Sequence, residues 1–279
     1  MSDTALVLGG GGPVGGAWLA GALAGLTEAG IDLRSADVVI GTSAGAVFGS
    51  RLLAGVPAAD LYERQLSGAD AVDLPVTLRQ TARFLWAALG SRDPQRSVER
   101  LARTALSAPT GPESDVFDTV GTLLGDVRAW PEQELRVTAI DARSGQVEVF
   151  HSRSGVPLLE AVAASCAVPV VWPPVTVAGR RWMDGGSRST ANLQLARGYR
   201  HVLAVVPIPR AVGPHLSAAE QAAELSQDGT RVTLLTPDRA ARRVMGRDMT
   251  DDTRRPAAAR AGHTQARAMA SSVADVWRG

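Results

Sequence analysis

Val38-Val39-Ile40-Gly41-Thr42-Ser43-Ala44-Gly45-Ala46-Val47-Phe48 sets a Gly-x-Ser-x-Gly pentapeptide between two apolar runs. That order predicts strand, sharp turn and helix, the setting in which such a serine is presented as an exposed nucleophile. The turn forces a strained backbone on the serine and leaves no room for β-carbons on its neighbours, which is the physical use of Gly41 and Gly45. The pentapeptide alone also fits an ordinary tight bend, so the rest of the chain has to decide.

Upstream, Ala5-Leu6-Val7-Leu8 is the short apolar run of a buried parallel strand and empties into Gly9 to Gly12. Val14 to Ala29 is helix-compatible, with Gly30 as its stop signal. Strand, glycine loop, helix, strand, turn, helix is the rhythm of an α/β fold with a mostly parallel sheet. Downstream, residues from about 58 to 125 contain no convincing strand and read as helices separated by Pro75, Pro94, Pro109 and Pro112. Strands resume at Leu135 to Ile140 and Val147 to Phe150, expected to pair as a hairpin. A short helix near Leu158 to Ala164 leads into the proline-rich stretch Val168 to Val177. His201 to Val206 and Arg231 to Leu235 read as strands flanking an Ala/Glu-rich helix after Ser217, and a helical tail from about 237 runs to Trp277. With no repeat and no linker, the economical reading is one α/β domain over 1–279, with a helical insertion at about 58–125.

Composition narrows the function classes. Of the 279 residues, 45% are hydrophobic and 20% charged, a globular profile, and the net charge of +1 points to no nucleic-acid partner. All 29 basic residues are arginines, a usage that reads as compositional bias. Arg239, Arg242, Arg243, Arg247, Arg254 and Arg255 are interleaved with Asp238, Asp248, Asp251 and Asp252, and read as a solvated helical face. The single Cys166 excludes an intrachain disulfide and fits a reducing compartment. With no basic signal-peptide start and no apolar run long enough to span a bilayer, a cytoplasmic location is the expectation.

Three elements far apart in sequence make chemical sense together: the Gly9 to Gly16 loop, the Ser43 turn and Asp184-Gly185-Gly186. A serine hydroxyl is a weak nucleophile until a base takes its proton, and Asp184 is a candidate for that base. The attack creates an oxyanion, which needs preorganised N–H donors, and a glycine loop at a helix N-terminus supplies them. On these residues the chain resembles the patatin-like phospholipases, serine acyl hydrolases with a Ser-Asp dyad. Their pattern of G-G-G-x-[R/K]-G, G-x-S-x-G and D-G-[G/A] is met by Gly10 to Gly15, Gly41 to Gly45 and Asp184 to Gly186. Ala164-Ser165-Cys166-Ala167-Val168-Pro169, Pro173-Pro174 and Asn192 extend the match, which covers roughly Ala5 to Val206.

The resemblance implies a three-layer patatin-like fold, Ser43 as nucleophile, Asp184 as base, and the amides of Gly10, Gly11 and Gly12 as the oxyanion hole. It implies hydrolysis of acyl esters or lipids, with no cofactor or metal and with room for peripheral membrane contact. At the loop position where the family carries Arg or Lys this chain has Val14, which shifts the expectation from phospholipids toward neutral esters.

Other readings compete. Gly10-x-Gly12-x-x-Gly15 also satisfies a dinucleotide fingerprint, but the second strand ends in Gly41-Thr42-Ser43 where a ribose-binding acid belongs, and Asp32 and Asp37 both precede it. No Gly-Lys-Ser/Thr follows the glycines, which excludes a P-loop. His151, His201, His215 and His263 read as surface or packing residues, and Cys166 as a packing residue. A non-catalytic scaffold with the same fold remains the alternative from another class. Leu74 to Leu89, with Leu78, Phe84, Leu85, Trp86 and Leu89 beside Arg79 and Arg83, reads first as a core-facing amphipathic helix. A cover for an acyl pocket or a contact to an anionic membrane is the second reading.

Overall fold

The structure, a computed structural model, describes residues 3–72, 76–211 and 213–277. Leu74 and Pro75, named in the sequence reading, lie outside them.

Strand β1 (Thr4–Leu8) is buried on both faces. Leu6 and Leu8 point into one apolar core and Ala5 and Val7 into another, the period-two split of a central strand covered on both sides. β1 pairs in parallel with β2 (Val38–Gly41) and with a later strand, β7 (His201–Val205). Between them lie β3 (Glu134–Asp141), β4 (Val147–Phe150), β5 (Val175–Val177) and β6 (Arg180–Asp184), and β8 (Arg231–Leu235) closes the far side against β7. The connectivity runs β5-β6-β3-β2-β1-β7-β8, with β4 also on β3, in a mixed but mostly parallel sheet.

Helices α1 (Gly12–Glu28), α2 (Ala44–Leu53), α3 (Ala58–Ser67), α6 (Glu113–Leu124), α7 (Leu158–Cys166) and α10 (Arg255–Trp277) contribute to the larger core. α8 (Ala218–Gln227) covers the opposite face. α1 and α10 approach through glycine: a β-carbon on Gly21 would stand 2.0 Å from the carbonyl oxygen of Ala259. The expected insertion is α3, α4 (Leu78–Leu89), α5 (Pro94–Leu106) and α6, and α9 (Arg239–Met245) precedes α10. The β3–β4 hairpin is present as expected. The β5–β6 hairpin is a strand pair that the proline-rich reading of this region missed, because Val175–Val177 is only three residues long and Arg180-Arg181 opens β6 with charge.

One detail of register positions the site. Val137 of β3 is flanked by Gly41 and Phe150, and Ala139 by Glu148 and Asp184. A strand residue has only two lateral neighbours, so β4 takes one edge of β3 while β2 and β6 share the other, end to end. Their C-terminal ends therefore face each other across Thr138, two residues of β3 apart, or about 7 Å.

Two expectations about helices need correction. α4 does not turn its large apolar side chains to the core: Ala87 and Ala88 are its buried residues, while Leu78, Leu85, Trp86 and Leu89 are exposed. It packs on α5, with Ala87 and Ala88 buried. Arg255 is not on a solvated face; it is buried at the start of α10.

Candidate active site

Ser43 sits at φ 52°, ψ −119°, a left-handed backbone that only a constrained turn imposes on serine. Its neighbours explain how the constraint is held. A β-carbon on Gly45 would lie 2.0 Å from the Leu8 carbonyl oxygen, so the turn fits against the end of β1 only with glycine there. The Ser43 N–H donates to Ser165 Oγ at 2.8 Å, and the Thr42 N–H to the Leu8 carbonyl at 3.0 Å. The serine turn is thus tied to β1 and to α7. Ser165 was visible in the sequence only as part of the flanking family pattern; nothing local in the sequence points it at Ser43.

Asp184 ends β6 and is buried. Burial pushes its carboxyl up to about 6, partly offset by hydrogen bonding from the Ser43 side chain and the Gly186 amide. The Gly186 N–H donates to Asp184 Oδ1 at 2.6 Å. Gly185 is needed because a β-carbon there would meet Thr138 Oγ1 at 2.4 Å. Beneath the pair, Thr42 and Thr138 hydroxyls are 2.8 Å apart, and Asn192 Nδ2 donates to Thr42 Oγ1 at 3.0 Å and to the Ser189 carbonyl at 2.8 Å. This polar bridge connects the serine turn to the segment after Asp184.

The glycine loop divides differently from the expectation. Gly10 donates its N–H to the Thr190 carbonyl at 2.9 Å, so that amide is not free for an oxyanion. The amides of Gly11 and Gly12 have no acceptor among the described residues, and neither has that of Ala44, the residue after the serine. Three N–H groups at the N-termini of α1 and α2 therefore remain unpaired, with the positive ends of two helix dipoles behind them. The sequence reading did not single out Ala44, because whether its amide is free depends on where α2 begins. Val14 is fully buried and donates its amide to the Met249 carbonyl at 3.0 Å, so this position serves the core.

Ser43 opens into a cleft of about 100 Å³. Ala44, Val47, Phe48 and Arg51 line it at the i, i+3, i+4, i+7 spacing of one face of α2, opposite Val116, Val120 and Leu123 of α6. Arg51, Asp70 and Arg255 also line it. Arg51 Nη1 bonds Asp70 Oδ2 at 2.7 Å, Arg64 Nε bonds Oδ1 at 2.7 Å, and Arg255 reaches the Asp70 carbonyl and, at 2.6 Å, Gln65 Oε1. Burial pushes the Asp70 carboxyl up, but the two arginines outweigh it and hold it below the usual carboxylate range. Cys166 lines the cleft too, and burial pushes its thiol up, which keeps it protonated and un-nucleophilic. None of the four histidines is among the lining residues; His263 pairs with Glu28 at 2.7 Å and stacks on Tyr62. Among the described residues no group of three or more His, Cys, Asp or Glu side chains could hold a metal ion.

A strained serine at a strand-to-helix turn, with unpaired amides beside it and a buried carboxylate at the end of β6, is an arrangement that suits a hydrolase. A family profile for patatin-like phospholipase matches residues 6–197, and the chain belongs to that family, whose members hydrolyse ester bonds. Among solved structures, VipD from Legionella pneumophila is similar in fold, with TM-score 0.51 and 15% identity over 98% of this chain and 67% of VipD. The type III effector protein ExoU aligns with TM-score 0.44 and 14% identity over 98% of this chain and 53% of ExoU. No curated protein matches the sequence.

Proposed function

We propose that this protein hydrolyses lipid or other carboxylic esters through a Ser43–Asp184 dyad and an acyl-serine intermediate. The observation that carries the reading is Asp184: a buried carboxyl with its proton affinity raised by burial, at the end of β6 and set by register across Thr138 from the end of the serine strand, is suited to act as a base near neutral pH. Ser43 Oγ attacks the ester carbonyl carbon while its proton passes to Asp184. The carbonyl oxygen, now an oxyanion, is received by the free amides of Gly11, Gly12 and Ala44. Collapse breaks the ester C–O bond, and the leaving alcohol takes the proton from Asp184. Water then loses a proton to Asp184 as it attacks the acyl-serine; collapse breaks the Ser43 Oγ–acyl bond, Oγ takes that proton back from Asp184, and the free acid departs.

The cleft supports a limited acyl length. From Ser43 to Arg51 the α2 backbone advances about 12 Å, and beyond the apolar lining stands the buried Arg51–Asp70–Arg255 group. An acyl terminus pushed into that group would strip charges of their partners, so the ions act as a floor favouring short and medium chains.

Labelling with a serine-directed alkyl phosphonate tests the mechanism. Wild-type protein is expected to take one adduct and Ser43→Ala none, with matching loss of ester hydrolysis. Absence of labelling and turnover in the wild type would favour a non-catalytic scaffold. Retained turnover in Asp184→Asn would return a histidine to the mechanism.

A further inference from the structure

Helix α4 presents an exposed apolar stripe. Leu78 is 90% exposed, Trp86 66%, Leu89 61% and Leu85 41%, at spacings that share one helical face opposite the buried Ala87. Single exposed leucines need no explanation, but four large side chains on one short helix do. The charge around the stripe is one-sided. Leu78–Leu89 holds no carboxylate, and residues 78–106 carry six arginines against Asp93 and Glu99, in a chain whose net charge is only +1. Asp93 is engaged in capping α5 through the Arg96 amide, at 2.8 Å. Arg100 stacks 4.5 Å over the Trp86 ring, and Arg79 and Arg103 are exposed with no ion-pair partner among the described residues.

We infer that α4 is the docking surface of this protein for an anionic membrane, lying in the interface plane with Leu78, Leu85, Trp86 and Leu89 inserted and the flanking arginines against lipid phosphates. An apolar stripe containing Trp beside unpaired arginines has the charge and polarity of that boundary, and a neutral protein groove would leave the arginines unanswered. Among the described residues no helix is long and apolar enough to cross a membrane. The placement also serves the cleft. Gln80 Nε2 of α4 donates to the Val170 carbonyl at 3.1 Å, and Val168 and Trp172 on either side of it line the Ser43 cleft. A docked α4 holds that rim against the lipid from which substrate would come, an extension that rests on the proposed hydrolysis, although the docking itself does not.

Sedimentation of Ser43→Ala protein with phosphatidylcholine vesicles, with and without one-quarter phosphatidylserine, tests the docking without turnover. Expected is at least tenfold stronger binding to the anionic vesicles, declining steeply between low and high salt. Arg79→Gln with Arg103→Gln should weaken it roughly 25-fold, and Leu78→Ser with Leu89→Ser tenfold or more. Both pairs, made in the wild type, should leave hydrolysis of a soluble short ester unchanged. Equal binding to neutral vesicles, no vesicle binding, or a dimer that Leu89→Ser dissociates in protein that ignores vesicles would each overturn the inference. Absence of ester hydrolysis in wild-type protein that still binds anionic vesicles would instead sink the proposed function and leave the docking standing.

Discussion

Replacing Asp184 by Asn separates the catalytic from the structural consequences of burying a carboxylate. Burial raises this group from the ordinary 3.8 to about 6. At about 1.4 kcal/mol per pH unit, that gap corresponds to about 3 kcal/mol. The folded-state value lies above the unfolded one, so the protonated carboxyl contributes stability that is fully present below about pH 4 and is lost as pH rises through about 6. The amide of the Asp184→Asn variant cannot ionise and loses none of it. Urea unfolding of wild type and Asp184→Asn across pH 4 to 8 should show the variant gaining about 2–3 kcal/mol on the wild type between the two ends, with the change centred near pH 5. Turnover should follow the same ionisation in reverse. The kcat/KM of the wild type is expected to fall on an acid limb near pH 6, to about a tenth of its plateau at pH 5; a solvated aspartate would leave about nine tenths there. A stability difference independent of pH, or a limb near pH 4, would refute the claim that burial tunes this base.

Two further predictions concern the walls of the site. Arg51→Leu removes the charge at the floor of the cleft, so with a series of p-nitrophenyl esters the preferred acyl chain should lengthen. Asp70 keeps Arg64 but loses its buried partner, and urea unfolding should register a cost on the order of 3 kcal/mol. Ser165→Ala leaves the Ser43 amide buried without its acceptor, at a cost of about 1–3 kcal/mol. Because Ser165 acts only by holding the serine turn, kcat should fall while KM for a short ester stays near its wild-type value.

Much of this arrangement was legible in the sequence because it is local. A strand emptying into glycines, and a serine flanked by glycines between two apolar runs, are fixed by the sterics of a few adjacent residues; Gly45 needs no distant information to announce a close approach. Asp184-Gly185-Gly186 was legible as a motif but not as a neighbour. It meets Ser43 because β6 shares an edge of β3 with β2, and β6 itself, opening on two arginines, gave no strand signal. The division of labour among the amides was likewise hidden. Whether a given N–H is free depends on which carbonyl packs against it: Thr190 takes that of Gly10, while Gly11, Gly12 and Ala44 have no acceptor among the described residues.

The same distinction separates the two arginine-rich regions. Sequence alone determined the α/β alternation, the candidate nucleophile and its candidate base, since backbone strain and hydrophobic period are written in neighbouring residues. Only the tertiary structure decided that Arg51 and Arg255 are buried around Asp70 among the residues lining the cleft, and that the apolar face of α4 looks outward. Burial depends on what packs opposite, and the packing of α4 against α5 covers Ala87 and Ala88 while leaving Trp86 and Leu89 exposed.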